Sequence, residues 1–253
     1  MSRLSCFAKT FLISSITACS TLFSMGLQAL ALEYNPPNRG APPNTRDAGR
    51  REGFCGDLTA VQPAGTNWGA TLLERPTFGL YVAEPAKNLT FTLKDESSDE
   101  VLYTAELGDL EGPGISLYTL PDDAPALELD QWYRWEVSLE CEQFETELTP
   151  NQSIKQVGGV IVRQADDELQ TALANTTAAE RPNLLAINGI WYDAVHTLIV
   201  QWMQQPDSET WQNAWQTLIE HPAVLLLEDL QDTMPIISCQ MADVPIAIPS
   251  DVQ

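Results

Sequence analysis

Histidine is nearly absent from this chain, and positive charge is scarce. Two histidines, His196 and His221, serve 253 residues, and 35 Asp and Glu face only 13 Lys and Arg. His196 stands three residues after Asp193 at helical spacing, so the two side chains could touch, but no third ligand or nucleophile is placed beside them. His221 precedes Pro222 at a helix end, where its charge suits the helix dipole. The dearth of cations argues against nucleic acid as a partner, because so acidic a surface repels phosphate backbones. Serine-hydrolase chemistry lacks its elbow: Ser116 comes nearest, with Gly114 before it but Tyr118 where the second glycine belongs. Zinc spacing, a phosphate loop and a dinucleotide fingerprint are all missing. The acidic run Asp95, Glu96, Asp99 and Glu100 lacks the alternating Asp/Asn ligands and turn glycine of a calcium loop. No catalytic residue, metal or cofactor is therefore expected. Many carboxylates remain whose spatial pairing is invisible in sequence, so an acid-based hydrolase is the enzymatic alternative.

Long apolar runs are limited to one. Arg3 and Lys9 precede an apolar stretch from Phe11 to about Leu32 that closes on Ala29, Leu30 and Ala31, the charge, core and cleavage-site order of a signal peptide. Small side chains at Ala29 and Ala31 fit the peptidase, so residues 1–31 are expected to be removed. The stretch is also long enough to cross about 30 Å of hydrocarbon as an uncleaved anchor. Ile16, Thr17, Ala18 and Cys19 resemble a lipobox, which would make an acylated lipoprotein anchored through Cys19. In each case the protein is exported, to the periplasm or beyond. About 222 residues remain after cleavage, enough for a real core, and nothing else in the chain reads as a membrane span. With Arg3 and Lys9 lost and every acid retained, the mature chain carries a formal charge of −24.

Residues 32–55 are rich in proline, glycine and asparagine, with Arg39, Arg46, Arg50 and Arg51 among them, and predict an extended tether. From 56 to 163 the apolar residues recur with period two, the alternation of strands. Phe78, Leu80 and Val82 form one row, and Leu89, Phe91 and Leu93 another. Val101, Tyr103, Ala105 and Leu107 follow a hairpin turn at Glu96 to Asp99. Ile115 and Leu117 mark a further strand, and Tyr133, Trp135, Val137, Leu139 and Cys141 give the clearest one. One apolar and one polar face per strand predicts an antiparallel β-sandwich, immunoglobulin-like, in an α+β chain.

Between 164 and 232 the period becomes helical. Asp166 to Ala174 predicts a short helix. Leu184, Ile187, Trp191, Ala194, Val195, Leu198, Trp202 and Met203 predict one long helix between Pro182 and Pro206, with Gly189 as its weak point. Trp211, Trp215, Leu218 and Ile219 stripe another, capped by Asp207 or Ser208. This helical segment is too small to stand alone and is expected to pack on the sandwich. Residues 233–253, with Pro235, Pro245 and Pro249, predict an irregular tail.

Five of the seven tryptophans lie on apolar stripes and belong to the expected core. Trp132 faces away from Trp135, and Trp68 lies between glycines, so these two are the candidate exposed aromatics for binding a glycan or a protein. Three cysteines survive cleavage in an oxidising compartment. Cys55 and Cys141 are the expected disulfide; free thiols, or a linkage through Cys239, are the alternatives.

Several segments then form a recognisable set. Pro36, Pro37, Arg39, Gly40, Ala41 and Pro42 lead to Gly49, Arg50, Arg51 and Cys55. Pro76, Thr77 and Phe78 open a strand that Tyr81 and Val82 close. Gly114 and Ile115, Leu120 to Leu127, then Tyr133, Arg134, Trp135 and Cys141 follow, with Gly189, Ile190, Trp191, Tyr192, Asp193 and Ala194 last. This set resembles the domain of unknown function 928 family of exported bacterial proteins, from about Pro36 to about Leu230. The resemblance implies export and a sandwich with helices, and it implies no catalytic residue. Gly79 and Val160 stand where the family usually carries tryptophan. The expected function is that of a non-enzymatic structural or interaction module of the envelope, whose partner is another envelope protein; glycan binding through Trp68 and Trp132 is the alternative.

Overall fold

The computed structural model describes residues 32–37, 58–63, 65–141 and 153–224. Eight strands come first in the chain: β1 Leu58–Ala60, β2 Trp68–Thr71, β3 Thr77–Val82, β4 Ala86–Asp95, β5 Val101–Leu110, β6 Gly114–Thr119, β7 Trp132–Cys141 and β8 Ser153–Arg163. Four helices follow: α1 Asp167–Ala174, α2 Arg181–Ile187, α3 Trp191–Gln204 and α4 Glu209–Ile219. The chain is thus mixed and mostly strand. None of the described helices is long and apolar enough to cross a membrane.

The strands form two sheets, one of three strands in the order β1-β3-β6 and one of five in the order β2-β8-β7-β4-β5. Alternation explains how they meet. Phe78 of β3 points toward the larger sheet, where its ring lies 5.1 Å from those of Phe91 on β4 and Trp135 on β7. Tyr118 of β6 adds a fourth ring, 4.6 Å from Phe91. Residues of opposite parity on β4 and β7, such as Lys94 and Arg134, are paired across the strands on the other face. The hairpin between β4 and β5 turns where expected: Asp95 accepts from the Asp99 N–H and donates to Glu100, and Asp99 takes a positive φ of 62°.

Three features depart from the sequence expectations. First, β2 runs parallel to β8, with Trp68 beside Val160 and Thr71 beside Arg163, so the larger sheet is not wholly antiparallel. Second, the single long helix breaks into α2 and α3 at Gly189, whose φ of +74° no helix accommodates. Ile187 and Met203, placed on the buried stripe of an unbroken helix, are 39% and 37% exposed as a result. Third, the beginning of the expected tether is docked. Leu32 and Tyr34 are 2% and 1% exposed, while Glu33 between them and Asn35 after them face solvent. Tyr34 stands edge-on to Trp191 at 5.0 Å, and the Asn35 N–H donates to the Ala186 carbonyl over 3.1 Å.

Gly189 explains the second and third features together. A Cβ at this position would lie 2.8 Å from the Asn35 carbonyl oxygen and from the ring of Pro37. The corner between α2 and α3 therefore needs glycine twice, for its backbone angle and for the passage of the 32–37 segment. The expected leader, the remainder of the expected tether and the expected tail from 233 onward lie outside the described residues.

Candidate functional site

The first residues of α3 carry the densest polar chemistry of the interior. Trp191, Tyr192 and Asp193 are consecutive, and each reaches a different strand segment. The Trp191 indole N–H donates to the Val61 carbonyl over 3.1 Å. The Tyr192 hydroxyl accepts from the Trp135 indole over 2.7 Å and donates to the Val160 carbonyl over 3.3 Å. Burial pushes that phenol far above its ordinary range. The Asp193 carboxylate accepts from the Thr71 hydroxyl over 2.5 Å and from the Leu72 N–H over 2.9 Å. Burial raises this carboxyl from 3.8 to about 6, against the lowering effect of both hydrogen bonds.

Close approach makes these contacts possible. A Cβ on Gly69 of β2 would sit 2.8 Å from the Trp191 Cβ, so glycine lets α3 rest directly on the strand. Each polar atom named here is used in joining α3 to the sheets, and none is presented to a substrate. Both oxygens of Asp193 are committed to Thr71 and Leu72, so the carboxylate that helical spacing puts within reach of His196 works as a tie between α3 and the end of β2. His196 is half-buried, and burial lowers its imidazole pKa.

The outer face of the larger sheet carries the charged residues. Arg134 of β7 forks to Glu96 and Asp99, both at 2.8 Å, and Lys94 of β4 pairs with Glu136 at 2.5 Å. Asp95 accepts from the Ser97 and Ser98 hydroxyls and N–H groups and from the Gln131 amide, and the Ser97 side-chain bond leads in holding its carboxyl well below the usual carboxylate range. The acidic turn is thus closed by its own serines and by Arg134. Among the described residues no group of three or more His, Cys, Asp or Glu could hold a metal ion.

The two candidate binding tryptophans are brought together, but not as an exposed pair. Trp68 is 4% exposed, and Trp132 is half-buried with its ring edge-on to Trp68 at 5.0 Å. The expectation that both are exposed is corrected here. Trp68 does not lie in a loop: it opens β2 and is flanked by Val160 of β8. The positions of the family's missing tryptophans are likewise filled. A Cβ on Gly79 would lie 3.0 Å from the Val61 Cβ, and Val160 is buried beneath the Tyr192 bond. Cys141 ends β7 opposite Ser153. Cys55, Cys239, Cys19, Ala29 and Ala31 lie outside the described residues.

One surface was missed in the sequence. β5 is the last strand of its sheet, and its outer edge has no strand partner among the described residues. Its register with β4 places Tyr103 opposite Leu93 and Ala105 opposite Phe91 on the inner face, and Thr104 opposite Thr92 and Glu106 opposite Thr90 on the outer. The facing sheet has only three strands, and its strand β6 lies over β4, where Tyr118 meets Phe91. β5 overhangs it, which leaves Tyr103, Ala105 and Leu107 half-buried where Phe91 and Leu93 are fully covered. Val101 at the start of the strand is 55% exposed, the highest value among the large apolar residues. The alternation of β5 was legible, but not its place at the end of the strand order.

Comparison with known proteins adds the following. No curated protein matches the chain. Among solved structures, the CARDB domain of the PF1109 protein from Pyrococcus furiosus, in complex with di-metal ions, is similar at 13% identity. That likeness covers 45% of this chain and 99% of that domain, with a TM-score of 0.21. The family described as Domain of Unknown Function (DUF928) matches residues 44–231, a span that holds all eight strands and all four helices, and the chain belongs to that family.

Proposed function

We propose that the protein is a non-enzymatic interaction module of the cell envelope, an immunoglobulin-like sandwich that meets another envelope protein at the outer edge of β5. The observation that carries this reading is the edge itself. At alternate residues of this ten-residue strand the outward backbone donors and acceptors have no strand partner among the described residues, and β5 contains neither the lysine nor the proline that blunt an exposed edge. A partner strand added there would gain main-chain hydrogen bonds without any pocket or catalytic group. In this reading residues 1–31 are a leader cut after Ala31, residues 56–163 are the sandwich and 164–232 the helical layer upon it. Export then puts Cys55 and Cys141 where a disulfide forms.

A photo-crosslinking residue at position 106, on β5, compared with one at exposed position 168, on α1, tests the proposal in the native envelope. Adducts specific to position 106 are expected. Equal labelling from both positions, or none from 106, would rule out the edge as the contact.

A further inference from the structure

We infer that the β5 edge accepts an extended segment in which basic and apolar residues alternate. This rests on the reading that the edge is the contact surface, and it adds the chemistry of the partner.

Two independent properties of the edge set that chemistry. The first is the overhang. A strand laid beside β5 has one row of side chains on the inner side of the sheet, next to the half-buried Tyr103, Ala105 and Leu107, and no strand of the smaller sheet beneath it. Apolar side chains in that row would cover what the three-stranded sheet leaves open, so every second residue of the partner is apolar. The second property is charge. The alternate row lies on the outer side, next to Thr104 and Glu106. From 95 to 111 the chain has no Lys or Arg, while Glu100, Glu106, Asp109 and Glu111 are all exposed. Lys94 of β4 and Arg134 of β7 are held by Glu136 and by Glu96 and Asp99, and the other lysine of β4, Lys87, lies at the far end of the strand, near Asp109 and beyond the regular register. Beside Tyr103 to Glu106 the described residues therefore favour an incoming base over an acid, and a basic residue opposite Glu106 makes a favourable cross-strand pair.

A second copy of this chain is disfavoured by the same arithmetic. Antiparallel pairing of β5 with itself would set acidic rows side by side on two molecules that, with residues 1–31 removed, each carry a formal charge of −24. Bulges limit the usable length: the β4–β5 register slips between Ala86 and Thr90 and between Leu93 and Lys94. The regular edge runs from Tyr103 to Glu106, opposite Leu93 to Thr90.

The test is amide hydrogen exchange on the exported chain with three short peptides: Lys alternating with Val, Glu alternating with Val, and the same lysines and valines in two blocks. The alternating Lys-Val peptide should slow exchange across residues 102–107. The other two should not, and Glu106→Lys should weaken the effect roughly ten-fold, as expected when a favourable cross-strand pair becomes a repulsive one. Glu106 is exposed, so the variant is expected to fold as the parent does. Equal protection by the acidic peptide would overturn the charge preference while leaving the edge as a contact. Equal protection by the block peptide would overturn the alternation. No protection by any peptide would overturn this inference, whereas adducts at position 106 in the envelope would still uphold the edge as the contact.

Discussion

Trp135 and Tyr192 meet through a 2.7 Å hydrogen bond from the indole N–H to the phenol oxygen, inside a core from which both are fully buried. The bond joins the centre of β7 to the first turn of α3, and the Tyr192 hydroxyl in turn donates a hydrogen bond to the Val160 carbonyl. Phe78 packs against both rings. The helices and the larger sheet are therefore fastened at a point where losing either partner strands a buried polar atom.

Tyr192→Phe should cost about 1–3 kcal/mol, because it leaves the Trp135 donor buried without an acceptor. Replacing both, as Trp135→Phe with Tyr192→Phe, should cost less than the sum of the single changes. Urea unfolding of the four proteins measures this, and simple additivity would show that the bond is not a coupled contact.

Asp193 predicts a pH dependence with a definite sign. Its carboxyl is raised from 3.8 to about 6 by burial, so the folded protein holds this proton more tightly than the unfolded chain does. Its contribution to stability is full below about pH 4 and is lost as pH rises through about 6, by up to about 3 kcal/mol. Asp193→Asn keeps a neutral acceptor and should flatten this part of the profile, with the variant more stable than the parent at pH 7. Unfolding midpoints between pH 4 and 7 decide the matter; parallel profiles for the two proteins would refute it.

Gly189→Ala should destabilise the fold by about 1–3 kcal/mol through its positive φ and the crowding of Asn35 and Pro37. The distinguishing result lies elsewhere in the chain. Exchange of the Asn35 amide should speed up, since the 32–37 segment loses its seat, while the β7 amides keep their protection. Uniform acceleration would mean that the segment is not seated by this corner.

Peptide mapping without reduction should recover Cys55 linked to Cys141, and N-terminal sequencing of the exported form should begin at Leu32. In the chain-entropy account, closing a loop of this length adds about 4–5 kcal/mol at most. Two free thiols at these positions would remove the disulfide from the scheme.

What could be read in advance was what alternates. β4 and β7 show period two because one face of each meets the rings around Phe78 while the other carries charge, and α4 shows its stripe because that face packs on α3, where Trp215 meets Trp202. β2 escaped because its four residues, Trp68 to Thr71, carry no apolar alternation, and because its partner β8 lies far along the chain. The break at Gly189 was legible as a weakness, but the segment that presses on it was not. Asp193 looked like a partner for His196 because helical spacing is visible in sequence, whereas Thr71, 122 residues away, is not.

The seating of residues 32–37 against α2 has a consequence for how the molecule is made. Tyr34 and Asn35 stand at the start of the described residues, but their partners Trp191 and Ala186 come late in the chain. A chain that ends before about residue 190 leaves Tyr34 without the indole that covers it. Contacts of such wide separation make folding slow. The seat of residues 32–37 exists only once α2 and α3 are in place, so the beginning of the described chain is finished by its end.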